Sequence, residues 1–190
     1  MNRIGITCFL RAGLTVLAVV SGPAVGAQDA THGIGEKVAL ALSSAQAAQA
    51  NRNHKALASA LAVIDRSGAH PLVDWDGADP VPRWRTLLAA TAPPMRGSPL
   101  GPGYRSGQIL AGHSEAFEQV FLSGQKASIA LSTPGNAPIS LRVLDSDHRP
   151  VCIMSNRNRT CHWVPMFTQR YTIEVRNPGD REAEYFLVVE

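Results

Sequence analysis

Four short segments in the C-terminal part of the chain alternate apolar and polar residues, and that period leaves few folds open. Ala127, Ile129 and Leu131 form the first set, and Ile139, Leu141 and Val143 the second. Tyr171, Ile173 and Val175 follow, then Tyr185, Leu187 and Val189. Period-two alternation turns one face of each strand onto a core and the other towards water. Segments of this kind separated by Gly, Pro and Asn turns predict an antiparallel sandwich or barrel. The expected strands lie near 108–111, 115–122, 126–132, 138–145, 150–154, 160–164, 170–177 and 183–189.

The start of the chain reads differently. Arg3 and Arg11 precede an apolar stretch from Leu14 to Val20, and Ser21, Gly22 and Pro23 break it. Val25 and Ala27 place small residues at the −3 and −1 positions of a cleavage site, so residues 1–27 are expected to be a secretory signal peptide cut after Ala27. The apolar core is shorter than the roughly 20 residues that a membrane span needs, and no transmembrane segment is expected after cleavage. The whole chain carries 18 basic and 15 acidic residues; loss of Arg3 and Arg11 brings it close to balance, which argues against a nucleic-acid partner. Cleavage also removes Cys8 and leaves Cys152 and Cys161.

Residues 28–91 are expected to be a helical segment. From Glu36 to Arg66 the sequence is alanine-rich and almost free of Gly and Pro. Val38, Leu42 and Ala45 share one helix face, and Leu57, Leu61 and Ile64 another. Asn51 or Asn53 between them can cap a second helix, so two antiparallel helices ending at Gly68 are predicted, with one long helix through His54 as the alternative. Asp79 followed by Pro80 signals a further short helix carrying Trp84. Residues 92–107, rich in Pro and Gly, read as a connector, and 108–190 as the sandwich. The fold class is therefore α+β, a short helical hairpin followed by a jelly-roll-like β-sandwich.

Cys152 and Cys161 are separated by a polar loop that holds Arg157 and Arg159. In an oxidising compartment two strand-end cysteines beside one loop usually form a disulfide. A metal site using both with His162 would need four ligands at short paired spacings, and no second CxxC or HxxxH is present. No metal or cofactor is expected. Asp145 and Asp147 flank a turn, where an aspartate can bond its own backbone or contribute to a calcium loop.

The run Phe121-Leu122-Ser123-Gly124-Gln125-Lys126-Ala127, followed by Leu141-Arg142-Val143-Leu144-Asp145-Ser146-Asp147, resembles the bacterial pre-peptidase C-terminal domain. So do Cys161-His162-Trp163-Val164-Pro165, Tyr171-Thr172-Ile173-Glu174-Val175-Arg176-Asn177 and Tyr185-Phe186-Leu187. The resemblance covers about residues 108–190. It implies a small jelly-roll-like sandwich that usually serves as an accessory module of secreted hydrolases.

No catalytic signature stands out. His70, Asp74, Asp76 and His113 with Ser106 or Ser114 supply the residue types of a hydrolase, but no Gly-x-Ser-x-Gly elbow is present. Arg142, Arg149, Arg157, Arg159 and Arg170 lie in or beside neighbouring strands, where they form either a basic patch or ordinary solvated surface. Trp75 and Trp84 either stack on a sugar or peptide, or anchor their segment to a core. The expected function is that of an exported, non-catalytic binding or scaffolding module of the bacterial envelope, periplasmic or secreted. Its candidate ligand-binding residues are Arg142, Arg157, Arg159, Trp75 and Trp84, and its partner an envelope component or another protein. The alternative is a small secreted hydrolase, or an inhibitor or accessory protein of one.

Overall fold

The structure, a computed structural model, describes residues 33–88, 101–154 and 159–190. The leader and its cleavage site, residues 92–100 of the expected connector, and Arg157 lie outside the described residues. Helices α1 (Ile34–Ala50) and α2 (His54–Ser67) form the expected hairpin, and α3 (Pro80–Leu87) follows. Asn53 caps α2, its side chain accepting from the Ala56 N–H, and Gly68 closes it in the left-handed conformation. Asp79 caps α3 through the Val81 N–H, with Pro80 in the first turn.

Nine strands lie among the described residues: β1 (His70–Pro71), β2 (Gly103–Ile109), β3 (Ser114–Phe121), β4 (Ala127–Ser132), β5 (Ser140–Leu144), β6 (Pro150–Met154), β7 (Thr160–Trp163), β8 (Gln169–Arg176) and β9 (Ala183–Val189). One sheet runs β1-β2-β9-β4-β7 and the other β3-β8-β5-β6. Apart from β1 this is jelly-roll order: every connection from β2 onwards crosses between sheets except the β5–β6 hairpin. All four alternating sets meet in one core between the sheets.

Two features differ from the expectation. The first long strand begins at Gly103 rather than near 108, because Pro102 and Gly103 stand at the opening of a strand and do not interrupt one. The two-residue β1 also pairs parallel to β2, with His70 opposite Gly103 and Pro71 opposite Tyr104.

The helices do not stand apart. The outer face of the first sheet presents Tyr104, Ala130, Phe186 and Val188 to a second core with Val38, Leu42, Ala45, Leu57, Leu61, Ile64 and Trp84. This double burial explains why every residue of β4 is buried. Ser128, Ala130 and Ser132 keep its helix-facing side small, so alanine-rich α1 approaches closely, and the Ser43 and Ser132 hydroxyls meet at 2.7 Å. The Glu190 side chain lies against Gly35 in the first turn of α1, where the helix dipole favours a carboxylate.

Candidate functional site

The two edges of the sandwich are finished differently. At one, a disulfide joins Cys152 on β6 to Cys161 on β7, with their Cα atoms 6.0 Å apart. Since β6 and β7 are the outer strands of opposite sheets, the bond staples the two layers together. At the other edge no covalent link exists among the described residues, and a cleft of about 310 Å³ opens between the segment after β1, strand β2 and strand β3.

Leu72, Asp74, Trp75, Arg105, Phe117, Glu118, Gln119 and Arg170 line this cleft. Arg105 stands opposite Leu187 in the ladder, and Phe117 opposite Ile173, so both point between the sheets. The Arg105 guanidinium lies over the Phe117 ring, 3.9 Å from its centre, and its side chain is only 12% exposed. Burying a guanidinium demands a partner, and Arg105 Nη2 donates to Glu115 Oε1. The other Glu115 oxygen accepts from the Tyr185 hydroxyl at 3.1 Å. Arg105 Nε–H is buried with no acceptor among the described residues. A Cβ on Gly107 would fall 2.6 Å from the Tyr185 ring, so only glycine leaves that phenol its place. Burial pushes the Tyr185 phenol well above its ordinary pKa; Arg105 opposes the shift and Glu115 adds to it.

The outer wall comes from the loop between β1 and α3. Leu72 is tied to β2 through its N–H, bonded to the Tyr104 carbonyl at 2.8 Å, and the Trp75 N–H returns to the Leu72 carbonyl at 3.1 Å. Asp79 Oδ1 takes both the Val81 N–H and the Tyr104 hydroxyl, at 3.0 and 2.9 Å, locking α3 and the loop to the sheet. Burial, then the adjacent Asp79 carboxylate, raises the Tyr104 phenol far above its usual pKa. The Trp75 indole packs edge-on to Tyr104 at 6.4 Å. Gly77 presses on the same indole, where a Cβ would come within 2.3 Å of Nε1.

Of the candidates named from the sequence, Trp75, Asp74 and Arg170 line the cleft. Trp84 is fully buried, its indole N–H donating to Gln49 Oε1 at 2.7 Å and its ring packed on Phe186. That makes it the anchor of α3. Arg142 grips Glu174 with Nε and Nη2, at 3.0 and 2.6 Å. Arg159 reaches Thr133 Oγ1 and Asn136 Oδ1, both at 3.4 Å. Arg170 pairs with Glu118 at 2.9 Å. The arginines therefore sit among carboxylates and polar acceptors, which describes solvated surface more closely than a bare basic patch. Asp145 Oδ1 accepts the Asp147 and Arg149 N–H groups at 2.9 and 2.8 Å, the backbone-bonded turn.

The two histidines of the hydrolase set stand apart. His70 flanks Gly103 at the start of β2, while His113 follows its far end, roughly 20 Å on at about 3.3 Å per residue. His70 Nδ1 meets the Pro71 carbonyl and His113 Nδ1 the Ala111 carbonyl, each at 2.9 Å.

Sequence reasoning missed Arg105, Glu115, Phe117, Gln119 and Tyr185 as a group. The signal was present: strand β3 carries Glu115, Phe117 and Gln119 at alternate positions, a polar–aromatic face where a core would be apolar throughout. A second surface is apolar. Met166 (82% exposed), Phe167 (70%), Val164 and Leu122 stand out from neighbouring turns, joined by Gly124 N–H to the Pro165 carbonyl and Ser123 Oγ to the Met166 carbonyl, each at 2.9 Å.

No protein-family model matches the sequence, and no curated protein matches it. Among solved structures, the chain is similar to PliG of Aeromonas hydrophila, a periplasmic inhibitor of g-type lysozyme, at 11% identity and a TM-score of 0.41 over 47% of this chain and 84% of that one. It is also similar to the pre-peptidase C-terminal domain of a Bacillus anthracis collagenase, at 13% identity and a TM-score of 0.41 over 46% and 87% of the two chains. The Salmonella Typhimurium PliG gives 14% identity and a TM-score of 0.36 over 47% and 86%. These likenesses assign no function to the chain.

Proposed function

We propose that this chain is an exported, non-catalytic binding module of the bacterial cell envelope, and that its ligand enters the cleft at the unlinked edge of the sandwich. The observation that carries the reading is the cleft itself: a concave site between the rings of Trp75 and Phe117, on which the polar side chains of Asp74, Arg105, Glu118, Gln119 and Arg170 converge. Export is supported by the Cys152–Cys161 disulfide, since such bonds persist in oxidising compartments. No described helix is long and apolar enough to cross a membrane.

The competing hydrolase reading needs a group that gives a proton and one that takes it. The ionic pairs at the cleft are Arg105 with Glu115 and Arg170 with Glu118. A guanidinium keeps its proton, so neither pair divides acid and base roles. These pairs shape and orient; they fit binding.

The test is co-sedimentation of the mature protein with bacterial envelope fractions. Trp75→Ala should abolish binding, and an Arg157→Ala/Arg159→Ala double variant should keep it. Binding lost in the arginine variant and kept in Trp75→Ala would move the ligand to the β6–β7 loop. N-terminal sequencing of protein recovered from the periplasm or medium should begin at Gln28; a start at Met1 would remove the export claim.

A further inference from the structure

We infer that the cleft between β2, β3 and residues 72–75 takes a neutral sugar residue; this rests on the cleft being the ligand site, and goes beyond it in naming the ligand's chemistry. The charges of the wall carry the choice. Arg105 and Arg170 are each matched by a glutamate, so an approaching anion meets guanidinium groups already neutralised. It also meets the exposed carboxylate of Asp74, which has no ion pair or hydrogen bond among the described residues. A cation meets the same matched pairs and finds only the exposed Asp74 carboxylate to hold it, where a solvent-exposed ion pair contributes little. An uncharged ligand satisfies both conditions.

The remaining lining narrows the class. Leu72 is the single aliphatic residue among the eight, too little to recognise an apolar side chain. The others are two aromatic rings and five planar polar groups, Asp74, Arg105, Glu118, Gln119 and Arg170. Adjacent hydroxyls of a pyranose both donate and accept, and carboxylate, amide and guanidinium groups answer them in pairs. The C–H face of the same ring is apolar and stacks on an aromatic surface. Phe117 has one face covered by Arg105, which leaves the half-buried Trp75 indole as the principal platform. Gly77 sets the position of that platform, because any side chain there would drive into the indole. The cleft's volume, about 310 Å³, suits a short segment of glycan.

The experiment uses the mature protein labelled with 15N, with the tryptophan indole N–H signals assigned by Trp75→Phe. The probes are maltotriose, chitotriose and, as the charged control, trigalacturonate. Either neutral trisaccharide should move the Trp75 indole signal in a saturable way. The Trp84 signal should stay in place, since its N–H is buried on Gln49. Asp74→Asn should weaken binding by about tenfold, the loss of one hydrogen bond to a charged group. Tighter binding of trigalacturonate than of either neutral sugar would overturn the inference, as would the absence of any shift at millimolar neutral sugar. Envelope binding that persists and depends on Trp75 while neutral sugars fail would sink the sugar assignment and leave the binding module standing. Loss of both would remove the cleft as a ligand site.

Discussion

The disulfide gives the most direct energetic test, because its contribution follows from chain length and position. Cys152 and Cys161 are nine residues apart. Closing a loop of about ten residues removes denatured-state entropy equivalent to about 2.7 kcal/mol at 25 °C. Reduction leaves both sulfur atoms in place, so it removes the cross-link without emptying volume around Cys161, which is buried in the inter-sheet core. The compact unit spans Thr31–Glu190, and in a domain of that size each kcal/mol moves Tm by about 2–4 °C. Protein unfolded with a reductant and refolded in its presence should therefore melt about 5–11 °C below the oxidised form. Differential scanning calorimetry measures the shift, and thiol titration fixes the redox state of each sample. A difference under about one degree between samples of proven redox state would refute the entropy argument. Two titratable thiols in the native, untreated protein would refute the cross-link.

Four other outcomes follow from the packing and electrostatics. Trp84→Ala should cost about 3–5 kcal/mol by urea titration, because the buried ring joins α3 to Phe186 on the sheet. Arg105→Met should destabilise more than the Arg105→Met/Glu115→Gln double variant, since the single change strands a carboxylate that the double change neutralises; a double-mutant cycle with no coupling would contradict this. Burial raises the pKa of Glu184 in the fold, against the lowering effects of Gln46 and Arg83. The folded state then binds more protons than the unfolded state just above the ordinary glutamate pKa, so this group's contribution to stability falls as pH rises through that window and is flat above the raised value. Glu184→Gln should accordingly stabilise the protein at pH 7 relative to its effect at pH 3, as read from paired denaturant titrations. Met166→Ser with Phe167→Ser should change stability by no more than about 0.5 kcal/mol per substitution in the same assay, both side chains being exposed.

What the sequence disclosed was whatever is encoded locally. Asn53, Gly68, Asp79 and Pro80 mark helix ends through hydrogen bonds and dihedral angles within a few residues, and each stands at the predicted terminus. The alternation in β4, β5, β8 and β9 exposed the inter-sheet core for the same reason. Strand β2 gave no such pattern: Arg105 and Gly107 occupy inward positions, where one is held by Glu115 and the other makes room for Tyr185. The cleft was illegible for a different reason. Its walls come from residues 72–75, 105, 117–119 and 170, brought together only by jelly-roll connections that cross between sheets.

The same topology explains why the site lies where it does. A sandwich has two places where its layers part, and here the β6–β7 edge is closed by the disulfide. At the β2–β3 edge the interior positions hold Arg105, Glu115, Gln119 and the Tyr185 hydroxyl in place of an apolar seal. Such a network costs desolvation that aliphatic residues of similar volume would avoid. Among the described residues Arg105 Nε remains without an acceptor even after the pairings with Glu115 and Phe117. The loop that carries Trp75 is meanwhile fixed by Asp79 from two directions, rather than folded down to cover the gap. A fold selected for stability alone would close this edge as it closes the other. Polar groups kept at an opening, beneath an aromatic ring held at its rim, are what a surface needs to recognise something outside itself.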